Sequence, residues 1–574
     1  VAAKDENAVF HAVEALRGNR SNNHIDHAAI ENAAFFIGEG AQKDIKWADA
    51  LNSSLAEAAI EAYTKEMTSL TDTILKKVDS SHPEWERIRR EAVSCRVLLD
   101  IKRNGIVKAR AVKQGFKEDK ATADGQGFNY YSHVAKLASV RTLILRPDRG
   151  DRAIGVKDVS TAFLQSHRYE GFTKFVAIKN PVTNEWEYYE QYGPIYGEAS
   201  APVRWENTLI PWLEEQGFTR GQNEKSVLYH EERDIVLLVY VDDVLADASR
   251  DNVDWIFDLM DKRFKCKDAD FLSEDTPLDY VGIEVEKTKT YIAMHMKKYI
   301  LGAIKILQSK SPSSWREASK YKPSMPIMET ITKDGPELSP ADTSYFLTGL
   351  GMAGWLANTV RCDLAYSHSR IGQHAARPTQ EAKLAITKLF KYLEANDSWG
   401  LAVKLHDTYS LENLYLVKKP TNRWRFYTDA DYAGNDEEQN ERRSQNGCVI
   451  TCGSTPVHWS SKVSSVAFAH EQMGGAHADM SSSASEVYAA GNAAQDCLHF
   501  SYCIEEMGME KIALPISKWI TQPARFSVKT PLSRHASNTL IVVNGGSGTY
   551  AIVRSSFHCM YHPQRTLQTS SPRS

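Results

Sequence analysis

The stretch IVLLVYVDDVLADA, residues 235–248, runs seven consecutive apolar residues into two adjacent carboxylates, Asp242 and Asp243, and then turns apolar again. On a regular strand neighbouring side chains point to opposite faces, so such a pair converges only where the backbone turns, and the pattern reads as the tip of a hairpin. Like charges placed together repel unless a cation or hydrogen-bond donors compensate them, and a hard divalent ion with oxygen ligands is the natural compensation. A second β-rich run, GVKDVSTAFL, carries Asp158 at the end of its first apolar stretch. Bringing Asp158 beside Asp242 and Asp243 would build a carboxylate cluster for two Mg2+ ions. In phosphoryl transfer one such ion activates the attacking hydroxyl and the other stabilises the leaving pyrophosphate. A lone Asp-Asp pair more often just opens an Asx-type turn, so the rest of the chain has to decide.

The elements that would position these residues alternate along the chain. Residues 1–44 are polar and weakly patterned, as in a linker or frayed end. From 47 to about 99 the apolar residues recur at three and four, which predicts helices. Between 105 and 291 short β-rich runs alternate with helical ones: KFVAI, WEYYE, VLYH, IVLLVYVDDVL, DYVGIEV and TYIAMHM, with a helix at APVRWENTLIPWLEEQG. Helical spacing returns from 297 to about 400. A separate α/β unit is predicted over 424–507, with strands at WRFYTDADYAG and NGCVITCGSTPVHWSS before a long helix beginning at SASEVYAA.

The 574 residues, 42% hydrophobic and 25% charged, suit an ordinary globular chain of three or four domains. The apolar run at 235–241 is far too short to span a bilayer, and the beginning of the chain lacks a charged-then-apolar signal pattern, so an intracellular protein without a membrane partner is expected. Eight scattered cysteines with no CxxC pair indicate neither a disulfide framework nor a zinc module. The first residue, Val1, points to a fragment or a piece of a longer polyprotein. The net charge of −4 hides a local excess: between Arg87 and Lys120 there are eleven Lys or Arg against four acids. Such a stretch attracts phosphates whatever their sequence, by releasing condensed counterions, although a solvated helical face reads much the same.

In order and spacing, KARAVKQGF (108–116), KDVSTAFLQ (157–165), YGEASAPVRWENTL (196–209), LLVYVDDVL (237–245), LDYVGIEV (278–285), VRCDLAYSHSRIGQHAARPT (360–379), YTDADYAG (427–434), VHWSSK (457–462) and SSSASEVYAA (481–490) resemble the reverse transcriptase and ribonuclease H region of copia-type LTR retrotransposon polyproteins. The resemblance covers most of residues 45–517. It implies an α+β chain: right-hand polymerase fingers and palm over 45–296, a helical thumb and connection over 297–420, and a partial ribonuclease H-like α/β domain over 421–517. It makes Asp158, Asp242 and Asp243 the metal-binding catalytic aspartates. It further implies that Arg110, with Lys113 in the same motif, meets the triphosphate of the incoming nucleotide, a task suited to a planar guanidinium, and that Tyr240 lies at the hairpin tip beside the primer end. Two Mg2+ ions, with Mn2+ as a substitute, an RNA template, a DNA primer and dNTPs would be its cofactors and partners. Other polyprotein products such as capsid and integrase would accompany it, in a cytoplasmic virus-like particle or in the nucleus.

The chain departs from the family in three places. Where the family reads LKQAPRAW this chain reads EASAPVRW, so Ser200 stands at the position of the glutamine that contacts nucleotide or template. Ribonuclease H chemistry needs four carboxylates around two Mg2+ ions. Asp429 matches the first, but Ala484 replaces the first of two glutamates separated by one residue, leaving Glu486, and residues 467–480 look like an insertion. From 511 to 574 there is no Asp or Glu in 64 residues, where the average composition predicts about 8. Eight Lys or Arg and apolar runs such as TLIVV fit poorly with solvated disorder. Residues 518–574 therefore read as a frameshifted tail. One base earlier, permitted codons for 533–544 yield KARLKHIDCRQ, which contains the family's KHID signature, and those for 518–521 permit MDN. The expectation is an RNA-directed DNA polymerase without ribonuclease H cleavage. The alternative is an inactive relic that at most binds nucleic acid.

Overall fold

The computed structural model describes residues 44–101, 105–118, 124, 128–146, 150–289, 291–320, 326, 331, 335–404, 424–431, 445–452, 455–463 and 482–509, with further short strands at Leu540–Gly545, Gly548–Val553 and Met560–Tyr561. The expected linker before residue 44, the insertion at 467–480 and the rest of the aberrant tail lie outside the described residues. The chain forms two compact units. The first holds the described residues up to Ala135, Arg152–Phe271 and Leu301–Lys305; the second holds Lys136–Asp151, Leu272–Ile300 and the residues from Ile306 onward. Helices and mainly antiparallel strands make this an α+β protein. No helix among the described residues is long and apolar enough to cross a membrane.

Within the first unit, one sheet contains β1 (Leu75–Val78), β2 (Val93–Ile101) and β3 (Val107–Lys113). A second contains β4 (Ala153–Asp158). The chain then returns to the first sheet with β5 (Lys174–Lys179) and β6 (Trp186–Gln191), giving the order β1-β6-β5-β2-β3. The helical reading of 47–99 holds for Trp47–Leu51, Ala56–Thr73 and Trp85–Glu91 and fails at β1 and β2. VSCRVLLDI has the chain ladder on both sides, antiparallel to β3 and parallel to β5, and those pairings override a weak helical spacing. The helix Ala56–Thr73 buries the stripe Ala59, Tyr63, Glu66 and Leu70, spaced four, three and four apart. Its single buried acid, Glu66, accepts the Ala111 N–H of edge strand β3 at 3.0 Å.

The second sheet is completed by β7 (Thr219–Arg220), β8 (Val227–His230), β9 (Ile235–Tyr240), β10 (Asp243–Ala248) and β11 (Asp270–Phe271), in the order β11-β4-β10-β9-β8-β7. Strands β9 and β10 are almost wholly buried, which is why their sequence is a continuous apolar run and not an alternation. Alternate residues Ile235, Leu237, Val239, Val244, Ala246 and Ala248 share a core with Trp205, Leu209 and Leu213 of the helix Ala201–Glu215 and with Val253, Ile256 and Met260 of the helix Arg250–Arg263.

In the second unit, β12 (Leu278–Tyr280), β13 (Ile283–Lys287), β14 (Tyr291–His295) and β15 (Gly400–Lys404) are neighbours in one sheet, so the strands expected to close the polymerase part at 296 pair instead with a strand a hundred residues on. Helices Pro340–Thr359 and Gln380–Ala395 begin at Ser339 and Thr379, whose hydroxyls accept the Asp342 and Ala382 N–H groups. Strands β16 (Trp424–Asp431), β17 (Gln445–Cys452) and β18 (Thr455–Val463) form an antiparallel sheet covered by the helix Ser482–Glu506, as the sequence predicts, through Ile450, Val457, Cys497, Phe500 and Ile504.

Candidate active site

The hairpin between β9 and β10 closes on the pair Tyr240 and Asp243, leaving Val241 and Asp242 as a two-residue turn. Val241 sits at φ +56°, a region costly for a β-branched residue and kept only where surroundings impose it. The imposing contact is Trp205, buried on the helix below, whose indole N–H donates to the Val241 carbonyl at 2.7 Å. Asp158, the last residue of β4, lies directly opposite Asp243 in the antiparallel ladder. Directly paired residues share a sheet face, so Tyr240, Asp243 and Asp158 stand in a row across three adjacent strands. The ladder continues past the strand end, because the Val159 N–H donates to the Asp242 carbonyl at 2.8 Å. All three aspartates are partly exposed.

Tertiary structure therefore brings the three predicted carboxylates to one strand end, from positions 84 residues apart in sequence. Their ligand atoms do not, however, all lie within 4.8 Å of one another. Among the described residues, the group of three acidic, His or Cys ligand atoms lying within 4.8 Å of one another is a different one, Glu118, Asp124 and Glu198. Asp158 is ion-paired by Lys267, whose backbone N–H also donates to the Asp158 carbonyl at 2.9 Å. Burial raises the Asp242 carboxyl above its usual range, and the charge of Asp158 adds to this while Lys267 and Arg110 oppose it. A carboxylate strained by desolvation and a like charge is one that a cation would relieve. The donor set, three carboxylates at the end of a rigid sheet, consists of the hard oxygens that Mg2+ or Mn2+ prefers.

The cations predicted to meet substrate separate by strand parity. On β3 Ala109, Ala111 and Lys113 face inward and are buried, while Arg110 alternates to the other face and stays partly exposed. Arg110 lies 3.6 Å from Asp100 and its charge is felt at Asp242. Lys113 corrects the expectation. Its side chain is fully buried, with its ammonium 2.8 Å from Glu118, 3.0 Å from Gln191 and 3.5 Å from Glu198. Ser200 also departs from its expected role: it is fully buried and its hydroxyl donates to Glu198 at 2.7 Å. Lys174 bridges Glu198, Asp124 and Glu118 at 2.7, 3.0 and 3.2 Å, and Arg204 holds Asp124 at 2.9 Å. Three acids thus meet three cations, and the closely packed group has its charge already balanced. Burial works to raise Glu198, but Lys113 and Lys174 outweigh it and hold the carboxyl at about 2. The departure from the family motif and this network are the same residues: a charge at Glu198 requires partners, and Lys113 is one of them.

Sequence reasoning passed over three residues here. Lys267 has no motif around it, and Glu66 is disguised as one more acid on a polar helix. Tyr196 opens YGEASAPVRWENTL, but only the structure shows that its ring packs on Phe163. In the second unit, Asp429 is exposed on β16 opposite Gly447. Glu486 falls in the helix Ser482–Glu506, its side chain outside the described residues.

Residues 90–311, which contain this hairpin, Asp158 and Arg110, match the family described as reverse transcriptase (RNA-dependent DNA polymerase). By sequence the chain is similar to retrotransposon Pol polyproteins of the copia type. It is 26% identical over 367 residues to the retrovirus-related Pol polyprotein from transposon RE1 of Arabidopsis thaliana, covering 62% of this chain and 22% of that protein. To the corresponding polyprotein from transposon TNT 1-94 of Nicotiana tabacum it is 24% identical over 391 residues, covering 65% of this chain and 27% of that one. The putative transposon Ty5-1 protein of Saccharomyces cerevisiae is 25% identical over 315 residues, 53% of this chain and 92% of its own length. The matched part of the chain spans about a fifth of the length of the Arabidopsis relatives.

Proposed function

We propose that this chain is the RNA-directed DNA polymerase of a copia-type retrotransposon, with the β4-β10-β9 sheet as palm, the β1-β6-β5-β2-β3 sheet as fingers, and the helices after residue 297 supplying thumb and connection. The observation that carries the reading is the register of Asp158 against Asp243 at the strained turn bearing Asp242. Asp158, Asp242 and Asp243 would hold two Mg2+ ions, which when bound activate the primer 3′-hydroxyl and neutralise the leaving pyrophosphate. The protein's own part is positioning. Trp205 and the β4 ladder hold the turn, Arg110 offers a guanidinium to the triphosphate, and Tyr240 lines the same sheet face beside Asp243. Template RNA and primer DNA would be attracted by the basic stretch 87–120. The setting would be intracellular, a cytoplasmic virus-like particle or the nucleus, together with capsid and integrase from the same polyprotein.

Ribonuclease H cleavage is absent in this reading, since Asp429 and Glu486 are what remains of four carboxylates. Primer extension on an RNA template tests the whole: the chain should extend with dNTPs and Mg2+, and Asp242→Asn should lose at least about a hundredfold in rate, the order expected when preorganised charge stabilisation is removed. Equal extension by both removes the enzymatic reading. The buried Ser200 and Glu198, where the family carries a substrate-contacting glutamine, favour a second reading, an inactive relic that binds nucleic acid, in which neither protein extends.

A further inference from the structure

We propose that Tyr196 donates a hydrogen bond to the triphosphate of the incoming nucleotide, taking over a contact that Ser200 cannot make; this rests on the polymerase reading above. Tyr196 is held between the two elements that carry the site. Its carbonyl accepts the Lys113 N–H at 2.7 Å, tying it to the end of β3, the strand that bears Arg110. The next residue, Gly197, has φ +82°, and a Cβ there would lie 2.2 Å from the Lys113 carbonyl oxygen, so only glycine lets this segment approach β3 so closely. On its other side the Tyr196 ring packs on Phe163, with centroids 5.3 Å apart and planes at 59°. Phe163 belongs to the 3-10 turn Ala162–Gln165, which begins four residues after Asp158.

The phenol that results lies within the electrostatic reach of Asp242, Arg110, Glu66 and Asp158 together. Burial, and then the charge of Asp242, push its ionisation up to about 12 against the pull of Arg110, so the hydroxyl keeps its proton and acts as a donor. Among the described residues none accepts a hydrogen bond from it. A donor that feels the charge of a guanidinium and of the site's carboxylates suits an oxygen-rich anion that arrives with divalent cations, which is what a nucleoside triphosphate is. Ser200 is excluded from this duty by burial and by its bond to Glu198.

The test is Tyr196→Phe, which removes one oxygen and keeps the ring on Phe163. The full chain is bound to a primer ended by a dideoxynucleotide on an RNA template, so that no chemistry occurs, and equilibrium binding of the complementary dNTP with Mg2+ is measured beside primer–template affinity and thermal melting. The expected result is dNTP binding weakened about tenfold or more, as for loss of a hydrogen bond to a charged group, with primer–template affinity and melting unchanged. Nucleotide affinity within about twofold of wild type overturns the inference alone. A wild-type complex that binds primer–template but no dNTP overturns the polymerase reading and this inference with it.

Discussion

Replacing Lys113 with Met separates two accounts of the same residue. As a substrate contact, Lys113 should be dispensable for folding and important for nucleotide affinity. The structure instead buries it with Glu118, Glu198 and Gln191 around its ammonium, so Lys113→Met strips compensation from two buried carboxylates. Breaking a buried ion pair from one side costs about 3–5 kcal/mol, because the remaining charge stays desolvated. Glu198 keeps Lys174 at 2.7 Å and the hydroxyls of Tyr169 and Ser200, each at 2.7 Å, and Glu118 keeps Lys174 at 3.2 Å. These survivors place the loss at the lower end, about 3 kcal/mol. For a unit of a few hundred residues that is a fall in melting temperature of about 6–12 °C. Methionine fills nearly the same volume, so little of the loss comes from a cavity. Urea titration of the full chain, followed by tryptophan fluorescence, gives the free energy, and dNTP binding at a temperature where the variant is folded gives the other half. A variant that melts within about a degree of wild type while losing dNTP affinity would show that the ammonium reaches substrate, and the burial argument would be wrong.

Two further outcomes follow from the second unit. In the β13-β14 pair, burial raises Glu284, yet His295 and the Lys298 N–H outweigh it and hold the carboxyl at about 2, while Glu284 and Glu286 raise His295 against burial. The depressed acid contributes stability above its ordinary pKa of 4.5 that is lost as pH falls toward 2; the raised histidine contributes below 6.5 stability that is lost as pH rises through its folded value. Melting temperature should therefore peak between these two pH values, and His295→Gln should flatten the decline on the alkaline side; an unchanged alkaline limb counts against the pairing. Arg141, fully buried, donates to the carbonyls of Val457, Asn358 and Thr359 at 2.7, 2.7 and 2.8 Å and lies 4.0 Å over the Trp459 ring. Arg141→Met leaves three acceptors, two of them buried, without a donor and should cost about 3 kcal/mol or more in urea denaturation, with Arg141→Lys recovering only part; a loss under about 0.5 kcal/mol would mean that water satisfies those carbonyls.

Arg110 and Lys113 show where local reading stops. Alternation along β3 alone says that residues three apart face opposite sides, so parity already forbade a shared role; which side was buried needed the helix Ala56–Thr73 and the Glu198 network. The helical expectation for 47–99 failed at β2 for a related reason. Spacing of threes and fours in VSCRVLLDI competes with pairing to β3, 6–18 residues on, and to β5, 83 residues on, and the ladder wins. Lys267 and Tyr196 carry no periodic signal at all. Their importance lies in what folds against them.

By itself the sequence determined the hairpin, because an apolar run interrupted by two acids can be buried only as strands with the acids at the turn, and it determined the kinship through the order of many short motifs. The tertiary structure alone decided that Asp158 stands in register with Asp243, that Trp205 donates to the carbonyl of Val241 at positive φ, and that Lys113 and Ser200 lie in a buried ionic network. The reason is range. Periodicity and turn chemistry act between neighbours in the chain, whereas burial, ion pairing and cross-strand register are set by residues that meet only after the sheets have formed.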